Sequence, residues 1–421
     1  MTFEDSEAFA RGLDAADLLA RFRDAFHLPP GPDGRPCLYL AGNSLGLQPR
    51  RARLYVEEAL DAWARLGVEG HHHGAAPWLP YHELLTASTA RLVGALPEEL
   101  VVMNTLTVNL HLMMVSFYRP THERFRILME SDPFPSDRYA VASQVRFHGY
   151  APGETVVELR PRPGEDTLRP EDLLAAIARE GRQLALVLLG NVNYLTGQAF
   201  DIRAVTEAAH AVGARVGFDL AHGAGNLRLR LHDDGPDFAV WCSYKFLNGG
   251  PGSLGGVFVH ARHAADRSLH RFAGWWGHDK ATRFEMPAAF RPLPGAEGWQ
   301  LSNPPILQLA ALRASMELFA EAGMAALVEK RDLLTGYLEF LLSRLPADRL
   351  RVITPRDPKQ RGAQLSLRVQ DARGLVQRLS QAGVMVDFRA PDIVRAAPVP
   401  LYNSFMDVWR FASVLRAHVS A

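Results

Sequence analysis

"LALVLLGNVNYLTGQAFDIRAVTEAAHAVGARVGFDL", residues 184–220, decides the fold. It opens on a continuous apolar run, the pattern of a strand buried on both faces. "DIRAVTEAAHAVG" (201–213) follows with helical spacing and closes on glycine. "RVGFDL" (215–220) is a second apolar strand. Strand, helix and strand at this spacing make a crossover unit, which pairs its strands in parallel and lays its helix over the sheet. The same alternation extends on both sides. "RFRILME" (124–130) predicts a strand, "DRYAVASQVRFHG" (137–149) a helix, and "TVVELRP" (155–161) a short strand. "RPEDLLAAIAREG" (169–181) predicts a helix with proline near its start and glycine at its end. "FAVWCS" (238–243) adds another strand. The expected fold is α/β, with a mostly parallel central sheet covered by helices on both faces.

After "LSNPPILQLAALRASMELFAEAG" (301–323) the texture changes to long amphipathic helices with strands such as "AQLSLRV" (363–369). A chain of 421 residues is long for one domain. Three parts are therefore expected: an amino-terminal segment (1–60) packing with the small domain, a large domain (61–309), and a smaller α/β domain (310–421). Lysine plus arginine balance aspartate plus glutamate at 46 each, which gives no reason to expect nucleic acid or an anionic membrane as a partner. "MTFEDSEAFARGLDAADLLARF" (1–22) is acidic and amphipathic, with no apolar core of a signal peptide. No window approaches the run of about 20 apolar residues that spans a membrane. Cys37 and Cys242 are too few for a disulfide framework and lack metal-ligand spacing. A cytoplasmic protein is expected.

Chemistry-bearing residues gather at the carboxyl ends of these strands, where open parallel sheets bind ligands. In "AVWCSYKFLNGGPGSLGGVFVH" (239–260), Lys245 stands between an apolar run and a cluster of glycines. A snorkelling surface lysine is one reading; an amine that holds a carbonyl cofactor as a Schiff base is the other. "VVMNTLTVNLHLMM" (101–114) runs from a strand into an apolar helix. Thr105 or Thr107 is either an N-cap or part of a phosphate-binding helix start. "ESDPFPSDRY" (130–139) offers Phe134 as packing or as a ring stacked on a flat cofactor, and Asp137 as a cap or a site acid. Asp219 ends a buried strand, where an unpaired carboxylate costs several kcal/mol. A salt bridge or a protonated pyridine nitrogen would satisfy it, with His222 three residues on to orient the acid or the ring. A phosphate turn, an aromatic, a strand-end aspartate and a lysine, in this order, point to pyridoxal 5′-phosphate. The triple histidine in "GVEGHHHGAAPW" (67–78) has no cysteine or carboxylate set nearby, so an active-site loop is expected there and no metal.

The blocks "YLAGNSLGLQP" (39–49), "MNTLTVNLHLMM" (103–114), "FPSD" (134–137) and "NYLTGQAFDI" (193–202) resemble the signature blocks of the kynureninase family. So do "VGFDLAHGAGN" (216–226), "WCSYKFLNGGPG" (241–252), "GWWGH" (274–278), "SNPPIL" (302–307) and "APVPLYNSFMDV" (397–408). They stand in family order over nearly the whole chain. The resemblance implies fold type I of the pyridoxal-phosphate enzymes, in the class-V aminotransferase-like superfamily. It also implies homodimers with active sites near the subunit interface, and hydrolysis of L-kynurenine to anthranilate and L-alanine.

By matching position, the resemblance makes Lys245 the residue that binds the cofactor and moves the substrate α-proton, and Tyr244 a phosphate contact and proton relay. Leu106, Thr107, Phe134, Pro135, Ser136, Asp137, Asp219, His222, Trp275 and Asn303 would complete the cofactor site. Arg395, in "IVRAAPVPLYNSF" (393–405), would clamp the substrate carboxylate with its planar fork, and Ser44, His71 and Asn303 would lie near the aryl group. Many relatives read "YLDGNSLG" where this chain has Ala41, which leaves open whether kynurenine or 3-hydroxykynurenine is preferred. The implied place in metabolism is tryptophan catabolism or NAD biosynthesis. A cysteine desulfurase, an aminotransferase of the same fold, or a cofactor-binding regulator are the competing readings.

Overall fold

The computed structural model describes residues 2–264, 266 and 268–419. Thirteen strands divide among three sheets. β1 (Leu38–Tyr39) lies near the amino terminus, and β2 (Leu100–Met103), β3 (Arg126–Glu130), β4 (Val156–Leu159), β5 (Leu184–Gly190), β6 (Arg215–Asp219), β7 (Phe238–Cys242) and β8 (Gly255–Val259) form one seven-stranded sheet. Its order is β2-β8-β7-β6-β5-β3-β4. Every neighbouring pair is parallel except those made by β8, which runs antiparallel to both β7 and β2. The strand and helix pattern read from the sequence is thus present, with β8 as the one reversed member.

The period-two geometry of strands explains why these runs are apolar throughout. Ile127 and Met129 enter the core on one face of the sheet, while Leu128 enters the core on the other. Leu186 and Leu188 part from Val187 and Leu189 in the same way, as do Phe238 and Val240 from Ala239 and Trp241. Gly217 sits in the middle of β6 because the Phe238 ring crosses it; a Cβ there would run into that ring.

The smaller body is a four-stranded antiparallel sheet in the order β12-β13-β10-β9, where β9 is Leu350–Val352, β10 is Leu365–Val369, β12 is Asp387–Arg389 and β13 is Ile393–Ala396. Its core draws on Leu334, Tyr337, Leu338 and Leu341 and on the carboxyl-terminal helix Phe405–Val419. The helix Ile306–Ala322, expected to open this smaller lobe at 310, packs on the helix Arg50–Leu66 and sends Leu309, Leu312, Met316 and Phe319 into the larger core. Apart from Ala10 and Leu40, the buried side chains of the smaller core come from Leu334 onward.

The amino-terminal chain serves both bodies. Ser6 caps the helix Glu7–Ala15, whose Ala10 enters the smaller core. β1 pairs in parallel with β11 (Val384–Met385). Phe22, Phe26 and Leu47, on either side of β1, join the larger core. Gly46 then approaches the turn that carries the key lysine, donating its N–H to the Tyr244 carbonyl at 2.8 Å. A Cβ on Gly46 would collide with Asn248 Oδ1 and the Lys245 carbonyl, so the "GNSLG" block is shaped by this close approach.

Candidate active site

A cleft opens at the carboxyl ends of β3, β5, β6 and β7. Its lining includes Lys245, Tyr244, Asp219, His222, Phe134 and Asp137, together with Leu106, Thr107 and Ser136. Residues far apart in sequence thus converge through the sheet, whose parallel strands deliver their last residues to the same edge.

Lys245 follows β7 in a turn and is 8% exposed, so the snorkelling reading does not hold. Its Nζ stands 5.5 Å from the centre of the Phe134 ring and 5.9 Å from that of Tyr244. Phe134 also meets Tyr194 edge-on at 5.4 Å, which leaves it partly exposed toward the cleft. Tyr244 is held as a neutral phenol, because burial and the neighbouring Cys242 push its pKa above the ordinary value.

Two helix starts meet beside the lysine. The helix Leu106–Phe117 begins after Thr105, which takes the extended N-cap conformation while its side chain caps nothing. The helix Pro135–Phe147 begins after Phe134, again without a side-chain cap. Thr107 Oγ1 and Ser136 Oγ share a hydrogen bond of 2.6 Å that ties the two starts together. Unpaired first-turn N–H groups and two positive dipole ends suit a phosphate, so the simple N-cap reading of Thr105 and Thr107 falls away. Pro135 holds the first helical position, where its missing N–H costs nothing, and does not line the cleft.

The floor of the cleft is acidic. Asp219 accepts a 2.7 Å hydrogen bond from the Ala221 N–H. Burial raises its pKa, and Lys245 and that N–H oppose the rise. Asp137 lies beside it, pushed well up by burial and by the Asp219 and Glu130 carboxyls, and its Oδ1 is buried without a partner. Asp137 therefore keeps the proton and Asp219 the charge. His222 is driven well below its usual range by burial and by the cations Lys245, Arg395 and Arg389, and its Nδ1 is also buried without a partner. A neutral imidazole, a charged carboxylate and a protonated one, all short of hydrogen bonds, fit a flat heteroaromatic ring with a protonated nitrogen.

Arg395 is 1% exposed and adjoins the cleft through a polar network. Its Nε donates to Asp387 Oδ1 at 3.0 Å, and its Nη1 donates to the Tyr194 carbonyl at 2.7 Å. Ser44 Oγ donates to the other Asp387 oxygen at 2.6 Å, and Arg389 reaches the same oxygen at 3.0 Å. Like Pro135, Ser44 and Arg395, the sequence-predicted Trp275, Asn303 and His71 stay outside the cleft lining. Trp275 is 40% exposed and donates from Nε1 to the Arg283 carbonyl. Asn303 is exposed, and His71 packs edge-on against Trp78. The sequence reading passed over Glu130, Tyr194 and Asp387. The acid closing the apolar run "RFRILME" was the available signal for Glu130; nothing local marked the other two.

The strand order and the constellation around Lys245 define the class: fold type I of the pyridoxal-phosphate enzymes. Solved structures share this fold, among them a cysteine desulfurase from Thermococcus onnurineus NA1 (TM-score 0.77, 17% identity, 95% of this chain and 98% of that one). Another is a complex of the cystine C–S lyase C-DES with its product cysteine persulfide (TM-score 0.75, 17% identity, 91% and 98%). Both cysteines of the present chain are buried and free, and burial pushes the Cys242 thiol up to about 11, so neither resembles a loop nucleophile.

Closer relatives narrow the class. The profile of the kynureninase C-terminal domain matches residues 327–415. A kynureninase of Myxococcus xanthus is 71% identical, covering 99% of this chain and 98% of its own length. Kynureninases of Koribacter versatilis (99% and 99% covered) and Salinispora tropica (98% and 97%) are each 58% identical. The chain belongs to the kynureninase family.

Proposed function

We propose that the protein is a pyridoxal-phosphate-dependent hydrolase that cleaves the Cβ–Cγ bond of L-kynurenine, releasing anthranilate and L-alanine. The observation that carries this reading is the convergence of Lys245, Asp219, Phe134 and the paired helix starts on one cleft, in a chain so close to known kynureninases. When bound there, pyridoxal phosphate supplies an electron sink for negative charge that develops on the substrate carbons.

The chain's own residues account for the rest. Lys245 would hold the cofactor through its amine and would move the substrate α-proton. Asp219 would pair with the ring nitrogen and favour its protonated form. Phe134 would stack on the ring, with His222 lining the same pocket. Leu106, Thr107, Ser136 and Tyr244 would hold the phosphate. Water adds to the γ-carbonyl, the bond to Cβ breaks, and the electron pair left on Cβ takes a proton. Tyr244, a neutral phenol next to Lys245, is placed to deliver it. Arg395 engages the substrate carboxylate, which requires its contact with Asp387 to be shared or exchanged.

The protein works as a homodimer in this reading, with Trp275, Asn303 and His71 completing the cleft of the partner. The exposure of Trp275 and Asn303 supports that role. No helix among the described residues is long and apolar enough to cross a membrane. A cytoplasmic place in tryptophan breakdown or NAD synthesis accords with this, as does a division of labour in which the larger body holds the cofactor and the smaller carries Arg395. Release of fluorescent anthranilate from L-kynurenine, with and without added pyridoxal phosphate, tests the reading. Lys245→Ala is expected to reduce turnover to background; near-normal activity in that variant would sink the assignment. A parallel run with 3-hydroxykynurenine reads ring preference. Keto-acid-dependent amino transfer without anthranilate would favour an aminotransferase.

A further inference from the structure

Glu130 ends β3 and lines the cleft, yet the reaction above gives it no task. It is 3% exposed. Oε1 accepts a hydrogen bond from Asn193 Nδ2 at 3.3 Å. The direction of that bond is fixed, because Asn193 Oδ1 already accepts from the Leu195 and Thr196 N–H groups at 3.0 and 2.9 Å. Oε2 is buried and has no partner. One oxygen of this carboxyl is thus committed as an acceptor, and the other is left bare in the cleft wall.

The groups facing Glu130 do not welcome a charge on it. Asp219 comes from β6 and Asp137 from the helix Pro135–Phe147; the cations of the site are Lys245 after β7, which acts on Asp219 and Asp137, and Arg389 and Arg395, which act on His222. Lys245 already balances Asp219. A second buried anion beside this pair has no counter-ion of its own. Burial, with Asp219 adding, moves Glu130 up to about 8, in keeping with a carboxyl that holds its proton at neutral pH.

The sheet order says what that proton meets. From β2 toward β4, the strand ends carry Leu106 and Thr107 first, then Tyr244 and Lys245, then Asp219, then Gly190 and finally Glu130, while Ser136, in the helix after β3, reaches back to Thr107. In pyridoxal phosphate the ring nitrogen lies opposite the aldehyde carbon, and the phosphate arm and phenolic oxygen flank that carbon on its two sides. If the nitrogen sits at Asp219, the aldehyde carbon at Lys245 and the phosphate at the Thr107–Ser136 pair, the phenolic oxygen would lie on the side of the aldehyde carbon away from that pair, and Gly190 and Glu130 are left in the same lining to meet it. Gly190, whose own Cβ would stand only 3.2 Å from Glu130 Oε1, leaves that side open. We propose that Glu130 is a neutral carboxylic acid that donates a hydrogen bond to the phenolic oxygen of the bound cofactor.

The inference rests on the cofactor reading above, and the test separates the two. A donor at the phenolic oxygen competes with the proton on the neighbouring Lys245–cofactor nitrogen, and so lowers the pH at which that nitrogen loses it. Wild-type, Glu130→Gln and Glu130→Leu proteins are loaded with pyridoxal phosphate, and the visible absorption of the bound cofactor is followed against pH without substrate. Glutamine keeps a neutral donor, so its midpoint is expected within about 0.3 pH units of wild type. Leucine removes the donor and is expected to raise the midpoint by about one unit or more. A merely structural role would move neither midpoint in a folded holoenzyme. A glutamine midpoint lowered by a unit or more would show that wild-type Glu130 is an anion, and a leucine midpoint equal to or below wild type would show no contact; either overturns the inference. A wild-type protein that gives no visible band with pyridoxal phosphate would overturn the cofactor reading, and this inference with it.

Discussion

Two aspartates at opposite ends of the same sheet behave in opposite ways. Asp237 stands just before β7, at the amino end of the strands, and is fully buried. Its oxygens accept from His210 Nε2 at 2.9 Å, His263 Nε2 at 2.7 Å, Arg215 Nη1 at 3.1 Å and the Val216 N–H at 2.8 Å. The carboxyl is held far below its usual range: burial opposes this, but the hydrogen bonds from His210 and His263 overcome it. Asp219 ends β6 at the carboxyl edge, and the protein gives it one N–H, a protonated neighbour and a lysine. Burial wins there, and the floor it shares with Asp137 and Glu130 is raised throughout. A carboxylate whose shell is full is part of the scaffold. In the cleft the shell is unfilled: Asp137 Oδ1 and Glu130 Oε2 are buried without a partner, which marks them as candidate ligand contacts.

Substitutions at the two aspartates sharpen the contrast most. Asp219→Asn is expected to slow anthranilate release by ~10²-fold or more, because in the proposed reaction the ring nitrogen would lose the charge that keeps it protonated. Its thermal midpoint without cofactor is expected to stay level or rise. Asp237→Asn should do the reverse: it breaks a buried network and is expected to cost about 3–5 kcal/mol in denaturant unfolding. Because the folded-state pKa of Asp237 is depressed, its contribution is present above roughly pH 4 and is lost as pH falls through the acid range. The Asn variant is accordingly expected to lose less stability than wild type between about pH 4 and pH 2. Equal stability effects at the two positions would break the comparison.

Glu130 gives the opposite pH sign in the cofactor-free protein. Its folded-state pKa, about 8, lies above that of an unfolded glutamate. The stability that follows from keeping the proton is full below about pH 4 and is lost as pH rises toward 8, at roughly 1.4 kcal/mol per unit at most. Glu130→Gln is expected to flatten that slope in denaturant titrations at several pH values; an unchanged slope would contradict the raised pKa. Gly46→Ala is expected to cost about 1–3 kcal/mol and to loosen cofactor retention, since the new methyl meets the Lys245 turn. At the small end, Arg53→Ala removes an exposed helical pair with Glu57 at 2.7 Å and is expected to change stability by less than about 0.5 kcal/mol.

Much of the larger sheet was readable in advance because its strands are buried on both faces and its helices on one, so the two periodicities stand apart in the sequence. The site was readable for a related reason. Parallel strands deliver their ends to one edge, so Phe134, Asp219 and Lys245 could be assembled without knowing the strand order. Three features could not be read this way. β8 lies between β2 and β7 and runs against both, a pairing set by contacts between distant segments that leaves no local mark. Helix Ile306–Ala322 looks as amphipathic as its successor, yet it packs on the larger core. Asp387 acquires its meaning only when Ser44, Arg389 and Arg395 fold around it.

The sequence by itself determined the alternating α/β chain, the order of chemical groups at the strand ends and the family they belong to, because residue type and spacing along a strand or helix are local properties. Only the tertiary structure decided which carboxyls are charged and which keep their protons. That choice depends on how much water each has lost and which donors reach it across the fold, and neither is written in the neighbouring residues.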